Sequence, residues 1–465
     1  MSANPQQKTT ADPGAVDLEL LRKYDVAGPR YTSYPTAAHF HEDVDAQAVV
    51  PRLEQSDCDS PVSVYVHLPF CRKLCWYCAC TKIITKDSQR AADYLVALDK
   101  EMQLKAAVIG RRPVVQLHLG GGTPTFLSAA QIRQLGESIR RHFNVTPGVE
   151  ASVEIDPREC DEEKVNALAE AGFRRASLGV QDVDPRVQEA IGRVQPMELN
   201  TKAVRLLRAR GFESVNVDLI YGLPHQTPET YAQTLDRVLT LQPERFAIYS
   251  YAHVPWVNAA QKNLERVGLP AAEVKLRLLK YIIERLVDAG YVYIGMDHFA
   301  RPEDELARAL RENSLQRNFQ GYSTHAGVEI VGLGMSAISQ SEDLYYQNTK
   351  DLEVYSARVE EGHWPVVRGC QLSAEDRIRR GVINEIMCRA RIDFAAISAR
   401  LGIDFSAYFK DELAALAPFV DDGLVDLGPG ELRITDRGRL FVRNIAMTFD
   451  AHLSGEGERR YSQTV

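Results

Sequence analysis

The chain has 465 residues, 45% hydrophobic and 25% charged, with a net charge of −8 from 55 basic against 63 acidic side chains. That length buries a sizeable core and leaves room for a catalytic domain plus one or two smaller ones. The acidic balance excludes a global positive field for nucleic acid, and no apolar run approaches the roughly 20 residues that cross a bilayer.

The opening residues, MSANPQQKTTADPGAV, are polar and lack the apolar stretch of a signal peptide. Residues 1 to about 16 are therefore expected to be disordered, and the protein cytoplasmic. Pro29–Phe40, PRYTSYPTAAHF, is too rich in proline for a helix. PVSVYVHL then predicts a strand that runs into YVHLPFCRKLCWYCAC, Tyr65–Cys80. This stretch holds Cys71, Cys75, Cys78 and Cys80, while Cys58, Cys160, Cys370 and Cys388 lie singly. Three thiolates at CxxxCxxC spacing suit three irons of a [4Fe–4S] cube and leave the fourth iron open. A zinc knuckle would call for a second CxxC pair, which is missing.

Beyond the cysteines, element types alternate. A helix is expected at roughly 90–108, a strand over Val114–Leu119, a helix after Ser128 and a strand over Val149–Ile155. A helix over Glu162–Ala171 and strands at Ala176–Val180, Ser214–Tyr221 and Arg245–Tyr251 continue the series. Strands separated by helices of this length imply parallel βαβ units. About six of them suit a partial or full (β/α) barrel, and periodicity leaves those two open. Gly120–Pro124, Glu154, Asp156, Gln181, Asp182 and the Tyr221–Pro224 turn all fall at C-terminal strand ends, where such barrels carry their sites. From about Ala271 the pattern turns helical, Arg311–Thr324 reads as a polar loop, and Val331–Ser339, rich in small residues, is expected to pack close to a ligand or a strand. After about Gly369, charged amphipathic helices and a short hairpin around Pro429-Gly430 suggest a separate C-terminal domain. The expected division is an N-terminal arm, 1–44, a catalytic barrel, 45–370, and a mostly helical C-terminal domain, 371–465.

Tyr77 completes the pattern CxxxCxΦC, where Φ is aromatic, which resembles the radical S-adenosylmethionine (SAM) superfamily. The wider chain is similar to the oxygen-independent coproporphyrinogen III oxidase (dehydrogenase) family of haem biosynthesis. PRYTSYPTA, the CAC ending, HLGGGTPTFL, VEIDPRE, SLGVQD, NVDLIYGLPHQTPE, IGMDHFARPEDELA and RNFQGYSTH carry the likeness. The resemblance implies an α/β fold, a radical SAM partial (β/α)₆ barrel with an N-terminal arm and a mostly helical C-terminal domain. It implies that Cys71, Cys75 and Cys78 ligate the cluster and that Cys80 is needed without ligating. Tyr65, Tyr77, Gly121, Gly122, Thr123, Glu154, Gln181, Arg193, Asp218, Ala252 and Ile338 match SAM-pocket positions. Phe319 and Gln320 match residues near a second SAM molecule.

These residue types suit that ligand. Glycine lets backbone approach closely, Glu154 or Asp218 can take ribose hydroxyls or an ammonium group, and Arg193 suits a carboxylate. The implied reaction is oxidative decarboxylation of two propionates of coproporphyrinogen III to vinyls, giving protoporphyrinogen IX. It calls for an electron donor and an acceptor, neither identified by the sequence. Arg30, in the arm, is expected to anchor a substrate carboxylate from a mobile segment. Arg301 and Arg317 read as surface arginines paired with Glu303 or Glu312. The protein is expected to be a monomer without a nucleic-acid partner or membrane span. The alternatives are a haem chaperone of the same barrel family, against which Cys80 and the arm both count, and a radical SAM methyltransferase or haem-opening enzyme.

Overall fold

A computed structural model describes residues 16–54, 59–453 and 461–464. The stretch expected to be disordered therefore lies outside the described residues except for Val16, which is buried, and Cys58 lies outside them too. The chain divides into two compact units. The larger comprises Ser33–Val274 and His325–Arg377; the smaller comprises the segment ending at Thr32, Lys275–Thr324 and the chain from Ile378 onward.

The larger unit is built on six parallel strands in chain order: β1 (Val62–Leu68), β2 (Pro113–Gly121), β3 (Asn144–Ile155), β4 (Arg175–Gln181), β5 (Ser214–Tyr221) and β6 (Arg245–Ser250). Each pairs in parallel with its neighbour in sequence. Helices connect them, among them Gln89–Ile109, Ala129–His142, Glu162–Glu170 and Pro228–Leu239. Helix starts are written locally. Ser128 and Gln131 form a reciprocal capping box, and Thr227 and Thr230 form another ahead of Pro228, whose fixed φ suits the first helical position.

The second edge of β1 is occupied by β7 (Glu329–Leu333), again in parallel, and not by β6. Strands β8 (Ile338–Gln340), β9 (Leu344–Asn348) and β10 (Val366–Gln371) then continue from β7 in antiparallel fashion. The six βα units therefore do not close on themselves, which excludes the full barrel that periodicity had left open. The helical pattern expected from about Ala271 holds for Ala272–Asp288 and Glu305–Arg311, and strands follow from Glu329. At three to six residues these strands are too short to carry a clear period-2 signal.

Side-chain alternation separates the two faces of the six strands. In β4, Ala176, Leu178 and Val180 are buried, while Arg175, Ser177, Gly179 and Gln181 point the other way. Ala151, Val153 and Ile155 of β3 are buried, alternating with Ser152 and Glu154. Period 2 therefore places one polar residue set on a single face. Register aligns it into rows: Tyr65 beside His118 and Ser152, Glu154 beside Ser177 and Asn216, and Gly179 beside Asp218.

The smaller unit holds most of helix Ala272–Asp288, the hairpin Val292–Gly295/His298–Ala300, and a three-stranded sheet of Arg391–Asp393, Glu431–Ile434 and Val425–Leu427. Phe405 stacks near Phe394 and Phe409, with ring centroids 4.8 and 5.1 Å away. The Arg311–Thr324 stretch expected as a loop contains a second hairpin, Gln316–Asn318/Gly321–Ser323. Its polar composition hid the strands.

Candidate active site

The cysteine loop leaves β1 and is pinned at several points. Phe70–Cys71 pairs with Ile83–Ile84, Trp76 N donates to Ile191 O at 3.0 Å, and Cys78 O accepts from Lys82 Nζ at 2.9 Å and Asn258 Nδ2 at 2.6 Å. Gln261 Nε2 donates to the carbonyls of both Tyr77 and Ala252, at 2.7 and 3.3 Å, joining two predicted positions. The Tyr77 side chain packs against a cluster that includes Ile191, Leu223 and Tyr251.

Cys75 is buried, and two arginines reach its sulfur. Arg158 Nη2 lies 3.6 Å from Sγ and Arg193 Nη1 lies 3.5 Å from it. The same guanidiniums share Asp156, at 2.7 Å from Arg158 and 3.0 Å from Arg193. Burial works against the charge on Asp156, but the two arginines hold its carboxyl below the usual range. Arg193 Nη2 also donates to Gly179 O at 2.6 Å, so much of the fork expected to meet a ligand carboxylate is engaged within the protein. Only its Nε is enclosed with no hydrogen-bond partner among the described residues. Arg158 was not singled out from sequence; its signal is its place directly after the Asp156-Pro157 strand end.

Cys71 Sγ lies 3.4 Å from Thr123 Oγ1. The Cys80 thiol hydrogen-bonds Cys78, and that contact is the first cause pulling the Cys78 thiol below its usual value. No group of three or more His, Cys, Asp or Glu among the described residues converges as ligands of one metal ion do. A cube takes each thiolate on a different iron, so its ligands need not share a centre.

Next to the loop, the glycines of HLGGGTP serve close packing. A Cβ on Gly121, at φ +109°, would stand 2.5 Å from the His67 ring, and one on Gly122 would stand 2.6 Å from the Pro69 backbone. Their N–H groups are already used: Gly121 on Glu154 at 3.0 Å, Gly122 on Leu68 O and Thr123 on Phe70 O. The close approach expected toward a ligand therefore falls to side chains and carbonyls.

On the polar face, Tyr65 stacks on His118, with centroids 5.8 Å apart, and its hydroxyl lies 3.0 Å from His67 Nδ1. His67 Nε2 lies 3.0 Å from Thr81 O. A carbonyl only accepts, so Nε2 carries the proton and Nδ1 accepts from Tyr65. Burial lowers the His67 pKa, consistent with that neutral ring. Burial also opposes the charge on Glu154, but the His118 hydrogen bond and Gly121 N–H hold its carboxyl below the usual range. Its side chain remains 44% exposed, so a deep, charged carboxylate still faces open space.

Asp218 accepts from Ser177 Oγ at 2.8 Å and Asn216 Nδ2 at 2.7 Å. Burial, opposed by the Ser177 bond and reinforced by the charge of Glu154, pushes it up to about 7. Gln181 sits at φ +69°, an uncommon conformation for a side-chain-bearing residue, at the end of β4. Asp182 instead serves structure, accepting from Gln226 at 2.6 Å and Thr234 at 2.7 Å. Ile338 opens β8 with its carbonyl close to Gly332, and Val331–Leu333 of the same small-residue stretch pairs with Val64–Val66 of β1, so the stretch packs on a strand as expected.

Phe319 and Gln320 lie in the smaller unit, where they span the turn of the Gln316–Ser323 hairpin. Arg30 also belongs to that unit, and its segment is anchored. Arg443 donates to Pro29 O at 3.0 Å and Gly28 O at 2.6 Å, Tyr31 donates to Asp450 at 2.8 Å, and Arg30 pairs with Asp297. The mobile arm expected here is therefore tied down on both sides of Arg30. Arg301 lies over the Tyr291 ring. Arg317 corrects the sequence reading: among the described residues it pairs with neither Glu303 nor Glu312, and its guanidinium lies over the Tyr322 ring.

The radical SAM superfamily model matches residues 65–238, and a HemN C-terminal domain model matches residues 372–441. The chain is 45% identical over 453 residues to an oxygen-independent coproporphyrinogen III oxidase of Pseudomonas aeruginosa, covering 97% of this chain and 98% of that one. It is 45% identical over 437 residues to the Escherichia coli (strain K12) enzyme of the same description, covering 94% and 95%. The solved structure of coproporphyrinogen III oxidase (HemN) from Escherichia coli, described as a radical SAM enzyme, matches with a TM-score of 0.90 at 43% identity, covering 94% of this chain and 100% of that one.

Proposed function

The chain belongs to the oxygen-independent coproporphyrinogen III oxidase family of the radical SAM superfamily, and from that premise we propose specific roles for its residues. Its activity is the oxygen-independent oxidation of coproporphyrinogen III in haem biosynthesis, by radical SAM chemistry. When bound, the [4Fe–4S] cluster and SAM supply a 5′-deoxyadenosyl radical by one-electron cleavage. The cluster is held by Cys71, Cys75 and Cys78, with Arg158 and Arg193 placing positive charge against Cys75. Cys80 stays a thiol and supports Cys78 from outside the ligand set.

Tyr65, Tyr77, Gly121, Gly122, Thr123, Glu154, Gln181, Arg193, Asp218, Ala252 and Ile338 shape the SAM pocket. Phe319 and Gln320 face a second SAM molecule, and Arg30 anchors substrate in exchange with Asp297. Each of two propionates loses a hydrogen atom from its β-carbon, then carbon dioxide and one electron, leaving a vinyl. An external one-electron donor and an acceptor, unidentified, complete the balance. The protein works as a monomer.

The observation that supports this reading most is the open, ionised Glu154 on the strand face beside the cysteine loop, where a sulfonium and an ammonium group need a carboxylate. The test is product analysis of SAM turnover. 5′-Deoxyadenosine formed together with protoporphyrinogen is the expected result. S-adenosylhomocysteine would instead indicate methyl transfer, and haem binding without SAM cleavage a chaperone.

Asp218 adds a pH signature. Its pKa is raised on folding, so the stability it contributes is present below the unfolded value of about 3.9 and is lost as pH rises through about 7. A cationic ligand favours the ionised form. SAM affinity should therefore tighten by up to about tenfold between pH 6 and 8, and Asp218→Asn should flatten that profile. An unchanged profile in Asp218→Asn would remove Asp218 from the pocket.

A further inference from the structure

In the hairpin Gln316–Asn318/Gly321–Ser323 the smaller unit sets Arg317 directly across from Tyr322. Cross-strand partners share a face, and the guanidinium lies over the Tyr322 ring, 4.8 Å from its centroid. The platform is fixed. Tyr322 Oη donates to Met387 O at 3.1 Å, and Gly295 leaves the space that the hydroxyl fills. Asn384 Nδ2 holds the neighbouring Gln316 at 2.9 Å.

Arg317 stands apart from other arginines of this unit. Arg30 pairs with Asp297, Arg379 with Glu412 at 2.9 Å, Arg389 with Glu385 at 3.0 Å, and Arg439 donates to Ile294 O at 3.0 Å. Arg317 has Nε and Nη1 enclosed, with no hydrogen-bond partner among the described residues. An enclosed cation with unserved donors is unfavourable, so a fold that retains one holds a place for an acceptor from outside. The surroundings add positive charge: Arg439 and Arg30 both act on the Tyr322 hydroxyl, together with Arg317.

We propose that Arg317, stacked on Tyr322, is a carboxylate receptor that takes a propionate of the tetrapyrrole substrate. A planar guanidinium pairs with a carboxylate in a fixed geometry, and the aromatic ring beneath it offers apolar surface to the adjoining pyrrole. This inference rests on the substrate reading above. SAM also carries a carboxylate, so the test separates the two sources.

Coproporphyrin III, the stable oxidised tetracarboxylate, is titrated by fluorescence into the reconstituted full-length holoprotein, and SAM is titrated in parallel. Arg317→Gln should weaken coproporphyrin III binding at least tenfold, with SAM affinity and cluster absorption unchanged. Arg317→Lys should restore only part of the loss. Thermal stability of Arg317→Gln should equal or exceed that of the parent, because an unserved buried cation has been removed. A lower melting temperature with unchanged porphyrin affinity would make Arg317 structural and overturn the proposal. Weakened SAM binding with unchanged porphyrin affinity, or no porphyrin binding by the parent, would overturn it as well. Porphyrin binding that depends on Arg317 in a protein that fails to convert coproporphyrinogen would contradict the activity alone and leave the receptor standing.

Discussion

Cys75→Ser is expected to strip the protein of its iron–sulfur cluster and to abolish turnover. An alkoxide is a poor substitute for a soft thiolate toward iron, and of the three proposed ligands only Cys75 is buried, with Arg158 and Arg193 at its sulfur. Cys71→Ser and Cys78→Ser should behave alike, since each thiol would occupy a different corner of the cube. Iron and sulfide analysis of anaerobically purified variants gives the result directly. A Cys75→Ser protein with a full cluster complement and normal turnover would sink the ligand assignment.

Glu101→Ala is expected to be the most destabilising single change away from the cysteine loop. Glu101 and Lys105, one turn apart on helix Gln89–Ile109, are both fully buried and lie 2.8 Å apart. Glu101 also accepts from Gly334 N at 2.6 Å, Tyr355 Oη at 2.7 Å and Asn348 Nδ2 at 2.7 Å. It ties the helix to the turn after β7, to the end of β9 and to helix Leu352–Glu360. Lys105 donates to Gly332 O at 2.5 Å and lies over the rings of Tyr346 and Trp364. Removing the carboxylate leaves a buried cation and three donors unserved, a loss of about 3–5 kcal/mol. Against a total stability of roughly 5–15 kcal/mol this is severe. Thermal melting should show a drop of roughly 6–20 °C. Adding Lys105→Met should recover a good part of it, because the stranded charge goes too. A drop of under about 1 kcal/mol in the single variant would contradict the network.

That network also shows where the sequence falls silent. Glu101 and Lys105 at i and i+4 look like an ordinary solvated pair, since nothing local reports that β7 to β10 cover that face. The six βα units were legible because long, clearly capped helices separate strands whose apolar residues recur at period 2. Ser214–Tyr221 ends where expected, while β3 begins five residues before the predicted start. The cysteine loop, Gly121 and Glu154 were legible as residues at strand ends, and Asp218 through the family resemblance.

Their partners were not. Asp156 and Cys75 occupy Arg193, and the glycine N–H groups are spent on Glu154 and the chain leaving β1, because through-space neighbours have no sequence signal. Arg317 misled for the same reason. Acidic residues nearby in sequence suggested an ion pair, while the partner that matters, Tyr322, becomes its neighbour only when a polar stretch folds into a hairpin.

The most direct measurement is anaerobic incubation of the reconstituted protein with coproporphyrinogen III, SAM and a one-electron reductant, followed by separation of the oxidised porphyrins. The account predicts loss of two carboxyl groups per tetrapyrrole to give protoporphyrin, accompanied by 5′-deoxyadenosine and dependent on Cys75. Intact coproporphyrin recovered from a protein with a full cluster and active SAM cleavage would contradict it.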